Sequence, residues 1–289
     1  MNTLIYWFGR AFIALIQALP LPLVARLGRC GGGLTYHLTG RYRRVVLDNL
    51  TMCFSNEKSP TEIIAIAKEN FRRIGENYAT AIKTAAMSFD ELKPHLEFSG
   101  FEKLPKKNGD KPLPNAVMAI GHFGNFELYA RIQDIRPDYR GCTTYRALKQ
   151  PAMDRLLKSL RGQNGCQFFE RRTEGDKLRE LMNQGGALLG LLADQSSKGM
   201  RAPFLGHECN TGLAPAVLAL RYDALLHSII CYRIGLAKWR LEFGGQIATH
   251  ENGQPRPTEA IMRDVNQHLE TAIRHDPANW FWVHRRWKK

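Results

Sequence analysis

From residue 115 onward, short apolar runs alternate with longer stretches whose apolar positions recur every three or four residues. This pattern predicts strands at 115–120, 141–145, 166–169, 187–193, 225–233 and 238–247, and helices at 125–136, 151–163, 174–184, 213–222 and 257–274. The alternation argues for an α/β fold: a mixed, mostly parallel sheet with helices on both faces. Ahead of it, 41–54 and 60–87 carry helical periodicity. The second stretch opens on Ser59-Pro60-Thr61-Glu62, with capping-box spacing and proline at the first helical position, and its stripe Ile63, Ile66, Ile74, Tyr78 and Ile82 reads as core. The polar, proline-rich run 103–114 reads as a loop leading into the central strand.

Residues 4–24 are the most apolar stretch, but Arg10, Gln17, Pro20 and Pro22 interrupt it and leave no clean run of transmembrane length. Residues 1–9 contain no Lys or Arg, so a secretory signal is not indicated and the segment reads as retained. Arg26, Arg29, Arg41, Arg43 and Arg44 follow it, which favours a cytoplasmic position for everything downstream. The expected division is a membrane-associating apolar segment at 1–38, helical in form, and an α/β domain at 39–289. A helix packed on the protein's own core is the alternative reading of that segment.

With 289 residues the chain can bury one large core. Its 41 Lys and Arg against 27 Asp and Glu give a formal charge of +14, which points to an anionic partner: nucleic acid, anionic lipid or an acidic protein. Cys30, Cys53, Cys142, Cys166, Cys209 and Cys231 are scattered without a CxxC pair and read as reduced thiols. No Walker loop, GxGxxG, GxSxG elbow or HExxH is present, so phosphoryl transfer, dinucleotide redox and serine-hydrolase chemistry lose support. His207-Glu208-Cys209 has no second ligand pair at zinc spacing, and no metal is expected.

The stretch most suited to chemistry is Ala119-Ile-Gly-His-Phe-Gly-Asn-Phe-Glu127, in which His122 falls in the turn between a buried strand and a helix start. Gly121 and Gly124 allow close backbone approach, Asn125 is placed to cap the helix, and Glu127 lies in its first turn. Such a turn can bring His122 and Glu127 together, whereas a continuous helix would not. Thr144-Tyr145-Arg146, Arg171-Arg172 and Ala193-Asp194-Gln195 also stand at or just after strand ends, where open α/β sheets bind ligands. The tail Asn279-Trp-Phe-Trp-Val-His-Arg-Arg-Trp-Lys-Lys289 mixes rings and cations, and suits a membrane interface, single-stranded nucleic acid or a buried Trp pair.

Several of these stretches together resemble the LpxL/LpxM (HtrB-type) late acyltransferases of lipid A biosynthesis, within the lysophospholipid acyltransferase superfamily. The residues that carry the likeness are Gly121-His-Phe-Gly-Asn-Phe-Glu127, similar to the HX4(D/E) box; Tyr145-Arg-Ala-Leu-Lys-Gln-Pro151; Ala193-Asp-Gln195; Pro203-Phe-Leu-Gly206 with Thr211-Gly212; and Trp280-Phe-Trp-Val-His-Arg-Arg286. Glu127 stands where much of the superfamily has Asp, and Leu205 replaces an aromatic common there. The resemblance implies transfer of a fatty acyl chain from a thioester, on acyl carrier protein or coenzyme A, to a hydroxyl of a membrane-embedded anionic glycolipid. It implies no cofactor, no nucleic acid, and a place at the cytoplasmic face of the inner membrane. His122 is then the general base and Glu127 its orienting partner, with the oxyanion met by backbone N–H groups of the turn or by a nearby Arg. Gly124, Asn125, Arg146, Arg161, Arg171 and Asp194 are assigned to substrate binding. A lysophospholipid or mannosylated-lipid acceptor, or a non-catalytic membrane or nucleic-acid adaptor, are the competing readings.

Overall fold

The computed structural model describes residues 2–109, 111–162 and 165–287. The chain opens with four helices, Asn2–Ala18 (α1), Leu21–Leu38 (α2), Gly40–Phe54 (α3) and Pro60–Thr84 (α4). The apolar stretch is therefore two helices, because Pro20 is extended (ψ 139°) and Pro22 has no N–H to donate to a preceding turn. Among the described residues no helix is long and apolar enough to cross a membrane. The start of α4 is the capping box expected from sequence: the Ser59 hydroxyl accepts from the Glu62 N–H, and the Glu62 carboxylate from the Ser59 N–H.

Two glycines of α2 and one of α4 bring these helices into backbone contact. A Cβ on Gly28 would stand 2.5 Å from the Gly75 carbonyl oxygen, and one on Gly32 would strike the Phe71 carbonyl. Beside this contact the fully buried Glu76 accepts hydrogen bonds from Arg29 Nη1 (3.2 Å), Arg233 Nε (2.8 Å) and the Ala237 N–H (3.0 Å). Such pairing is what makes a carboxylate tolerable away from water. The buried face of α4 accordingly departs from the expected isoleucine stripe: it carries Asn70, Glu76, Thr80 and Thr84 with Ile63, Ala67 and Phe71, while Tyr78 is half exposed.

Downstream come Phe89–Leu92 (α5), Leu96–Ser99 (β1), Ala116–Ile120 (β2), Ile132–Ile135 (α6), Arg140–Tyr145 (β3), Pro151–Arg161 (α7), Gln167–Glu170 (β4) and Gly175–Asn183 (α8). Ala187–Leu192 (β5), Met200–Phe204 (β6), His207–Thr211 (β7), Ala214–Arg221 (α9), Leu225–Gly235 (β8), Lys238–Gln246 (β9) and Thr258–His275 (α10) follow. The sheet order is β1-β9-β8-β2-β5-β3-β4; β8, β2, β5, β3 and β4 run parallel, and β9 and β1 run the other way at one edge. The mixed, mostly parallel α/β sheet is thus observed. The expected strands fall within two residues of their places.

Three local expectations change. The helix expected at 125–136 is a 3₁₀ helix, Phe126–Arg131, followed by the single turn of α6. The helix expected at 151–163 ends at Arg161, and Gln163 lies outside the described residues. Strand β1 and the β6–β7 hairpin were hidden: the hairpin turns on Leu205-Gly206, with φ of 49° and 80°, a two-residue turn that Leu rarely enters.

The period of two along β2 separates two cores. Val117 and Ala119 pack with Ala216, Val265 and Leu269 from α9 and α10, whereas Ala116, Met118 and Ile120 pack with Leu128, Tyr129 and Ile132 on the opposite face. The Trp-rich tail closes the first core. Trp280 and Trp282 are buried, Asn70 Nδ2 donates to the carbonyls of Ala278 and Trp280 (3.0 and 2.5 Å), and Asn49 Nδ2 to those of Trp282 and His284 (both 2.9 Å). Of the three readings of the tail, the buried one holds; Lys288 and Lys289 lie outside the described residues.

The α2–α4 contact yields a stability prediction. Gly32→Leu should cost roughly 2 kcal/mol, since the added side chain meets backbone that cannot turn aside. The neighbouring Gly33→Leu, whose Cβ would stand 3.6 Å from the flexible Arg72 side chain, should be nearly neutral. Thermal unfolding of the two variants checks the difference.

Candidate active site at the carboxyl ends of β2 and β5

Register decides which residues meet. β2 and β5 are parallel neighbours with Ile120 opposite Leu192, and the ladder continues through the Ala193 N–H to the Ile120 carbonyl (2.9 Å). Two residues past each strand, His122 therefore lies beside Asp194. The Asp194 Oδ1 is 2.9 Å from His122 Nδ1; its Oδ2 accepts from the His122 N–H (2.7 Å) and from Trp280 Nε1 (2.8 Å). Burial alone would raise the Asp194 pKa, but the imidazole's charge and these hydrogen bonds outweigh it and hold the carboxyl down at about 2. An ionised carboxylate only accepts, so Nδ1 carries a proton, and in the neutral ring the lone pair is on Nε2.

The partner expected for His122 was Glu127. The structure instead pairs Glu127 with Arg161, whose Nε and Nη2 reach its two oxygens at 2.9 and 2.5 Å. The 3₁₀ helix that begins at Phe126 sends the Glu127 side chain toward α7 and away from the imidazole. Arg161, expected from sequence to bind substrate, is engaged by this bidentate bond and lies over the Phe168 ring while still lining the cavity.

Asn125 does not cap the helix; it is buried, and its Nδ2 lies 3.4 and 3.3 Å from the hydroxyls of Thr80 and Thr84. Gly124 (φ 50°) is pressed against the middle of β8, where a Cβ would lie 2.6 Å from the Cys231 carbonyl oxygen. Its conformation and closeness both require glycine. These two expected substrate contacts thus sit in the packing of the turn. The turn's N–H groups are occupied as well, that of His122 by Asp194, Phe123 by the Gly121 carbonyl and Gly124 by the Asn279 carbonyl. These three are therefore engaged within the fold.

His122, Glu127, Arg146, Arg161 and Arg171 do share one cavity, of about 490 Å³. Its floor is the sheet face of Met118, Ile120, Leu188, Gly190 and Ile229, and Gly190 leaves open the space a side chain would fill. Arg146 and Arg171 are exposed at its polar side together with Thr144, Ser196 and Ser197. Gln195 Nε2 stands 3.3 and 3.4 Å from the two imidazole nitrogens. Sequence reasoning had marked Asp194 and Gln195 as ligand contacts and missed Trp280 at this site; the strand order that joins β2 to β5 was the missing information.

A histidine locked in one tautomer beside a deep apolar pocket is the equipment of an enzyme that deprotonates one group of an apolar or lipid substrate. The chain belongs to the bacterial lipid A biosynthesis acyltransferase family, whose model matches residues 1–289, and it is an acyltransferase. It is 23% identical to a lipid A biosynthesis palmitoleoyltransferase of Escherichia coli (strain K12), over 98% of this chain and 90% of that one. It is 24% identical to a lipid A biosynthesis acyltransferase of Haemophilus influenzae, with the same shares covered. The adaptor reading is set aside on this ground.

Asp194 gives a pH prediction with a definite sign. Its folded pKa lies below the ordinary carboxyl value, so the stability it contributes is complete above about 4 and is lost as the pH falls toward about 2. Chemical denaturation of the wild type should show this loss between those limits, and Asp194→Asn should flatten that part of the curve.

Proposed function

We propose that the protein moves a fatty acyl chain from an acyl carrier protein thioester to a hydroxyl of a lipid A precursor, at the cytoplasmic face of the inner membrane. The observation that carries this reading is the His122 imidazole, bound through Nδ1 to Asp194 and facing with its other side a cavity that is apolar on the sheet and cationic at the rim. His122 Nε2 takes the proton as the hydroxyl oxygen attacks the thioester carbon. A C–O bond forms; the tetrahedral intermediate collapses, the C–S bond breaks, and the thiolate leaves with the proton from His122. Asp194 fixes the tautomer and steadies the imidazolium. The developing oxyanion is met by cavity side chains, for which the Gln195 amide and the exposed Arg146 and Arg171 are placed. The acyl chain lies along the floor opened by Gly190. The same arginines and the overall basic charge suit an acidic carrier protein and lipid phosphates.

Membrane attachment rests on α1 and α2. Leu4, Phe8, Phe12 and Leu15 form an exposed stripe on α1, and Leu23, Leu27, Leu34 and Leu38 one on α2. Their spacing of three, four or seven residues puts each set on one helix face. The first acidic residue of the chain is Asp48, after Arg10, Arg26, Arg29, Arg41, Arg43 and Arg44. Apolar stripes flanked by cations suit helices lying in the plane of an anionic membrane surface.

Three outcomes test this reading. His122→Ala should lower transfer by at least about a hundredfold, measured by mass spectrometry of the lipid product, with unfolding unchanged. Glu127→Gln and Arg161→Gln should lose little more together than singly, because they form one pair, whereas Glu127→Gln and Asp194→Asn should compound. Phe8→Glu with Phe12→Glu, both on the solvent side of α1, should release the protein from anionic vesicles at physiological salt. Retention of that variant on vesicles in high salt would overturn the assignment of α1.

A further inference from the structure

A second cavity, of about 180 Å³, lies beside the first, between α4 and α7. Tyr78, Ala81 and Ile82 of α4, Leu128, and Leu157 and Leu160 of α7 line it. Its two cations are committed elsewhere, Arg131 to Asp134 and Arg161 to Glu127. What remains is a mostly apolar slot, with the neutral polar side chains Asn77, Thr84 and Asn125 at its wall. Phe126, Glu127, Ala130, Leu157, Arg161 and Phe168 line both cavities, so the Glu127–Arg161 ion pair and the Phe126 ring belong to the wall between them. That ring stands 5.0 Å from the imidazole of His122. A group at the top of the second cavity is therefore one ring's width from the base.

Helix α1 ties together the two helices that flank this slot. Gln17 Nε2 donates to the Ile82 carbonyl of α4 (3.1 Å), and the Arg155 guanidinium of α7 lies 5.2 Å from the centre of the Tyr6 ring. The other face of α1 exposes Trp7, Phe8 and Phe12. The exposed apolar surface of α1 is thus carried by the helix that bridges the two walls of the slot, while the first cavity has the sheet as its floor.

We propose that the second cavity holds one alkyl chain of the lipid acceptor while the donor's acyl chain occupies the sheet-lined cavity, an inference that rests on the acyl-transfer reading above. Transfer at one imidazole requires two alkyl-bearing molecules at once, and the fold supplies two apolar cavities that meet beside that imidazole. The acceptor is drawn from the bilayer, so its chain enters from the α1 side. Its hydroxyl, borne on or next to that chain, then passes Phe126 to reach His122 Nε2. The partition of Phe126, Glu127 and Arg161 keeps the two chains apart and in order.

Two substitutions outside the catalytic residues test this. Ala81→Phe fills the slot from α4, and Leu160→Ala enlarges it from α7. The purified full-length protein is assayed with an acyl carrier protein thioester and lipid acceptors of full and shortened chains, and with a short, water-soluble alcohol in place of the lipid. Each methylene shut out lowers affinity by roughly fourfold, so Ala81→Phe should raise the KM for the full-length acceptor by more than about tenfold. The KM for the donor and the rate with the soluble alcohol should stay as in the wild type, which also shows the variant to be folded. Leu160→Ala should shift preference toward longer acceptor chains. A changed preference for donor chain length, with acceptor preference intact, would overturn the assignment and give the slot to the donor. Unchanged KM values in both variants would likewise overturn it. Absence of acyl transfer by the wild type to any of these acceptors would instead sink the underlying reading of the reaction.

Discussion

The carboxylate of Asp194 is where three remote segments of the chain are fastened to one another. It is buried, and it receives the backbone N–H at the end of β2, the imidazole of the same residue, and the indole N–H of Trp280 near the C-terminus. A buried carboxylate stripped of such donors costs several kcal/mol, so the turn, the ring and the tail must all arrive in place together. The isolated bridge between Phe123 and Trp280, and the Gly124 N–H on the Asn279 carbonyl, hold the turn and tail at that distance. The tail therefore backs the His122–Asp194 pair from behind, and its rings serve the fold first.

The helical layer is held by the same logic of polar groups satisfied inside. Glu76 gathers Arg29, Arg233 and the Ala237 N–H, and thereby joins α2, α4 and the turn between β8 and β9. Asn49 and Asn70 do for the tail what Glu76 does for the helices, each donating twice to tail carbonyls. A helix face that carries Asn, Glu and Thr would read as solvent-facing, yet here it is interior because every one of those groups has a distant partner. The glycine contact between α2 and α4 places Arg29 within reach of Glu76.

This explains what could be read from the sequence. Strands β2, β5, β8 and β9 and helix α10 were legible because burial on both faces or on one stripe leaves a periodic signature that needs no partner to be recognised. His122 was legible for the same reason, as a polar residue where a buried strand stops. Its true companion was not, since Glu127 is five residues away and Asp194 seventy-two, and only the adjacency of β2 and β5 makes the larger separation the shorter distance. The tail misleads in a similar way: its mix of Trp with Arg and Lys matches an interface by composition, and only bonds from α3 and α4 more than two hundred residues away reveal it as interior. The β6–β7 hairpin escaped because its turn places Leu205 where glycine or asparagine would normally announce a reversal.

Helix α7 gives the molecule an unusual mechanical continuity. At its middle, Arg155 and Leu156 meet Tyr6 and Gly9 of α1; at its last residue, Arg161 forms the cavity wall with Glu127. The helical segment from Arg155 to Arg161 is a stiff link of roughly 9 Å between α1 and the cavity wall next to His122. A bilayer that seats α1 would then be a structural member of the catalytic site, setting the angle of its wall as a foundation sets a beam. Detergent that loosens α1 would be felt at Arg161 without any change in the sheet that carries His122 and Asp194.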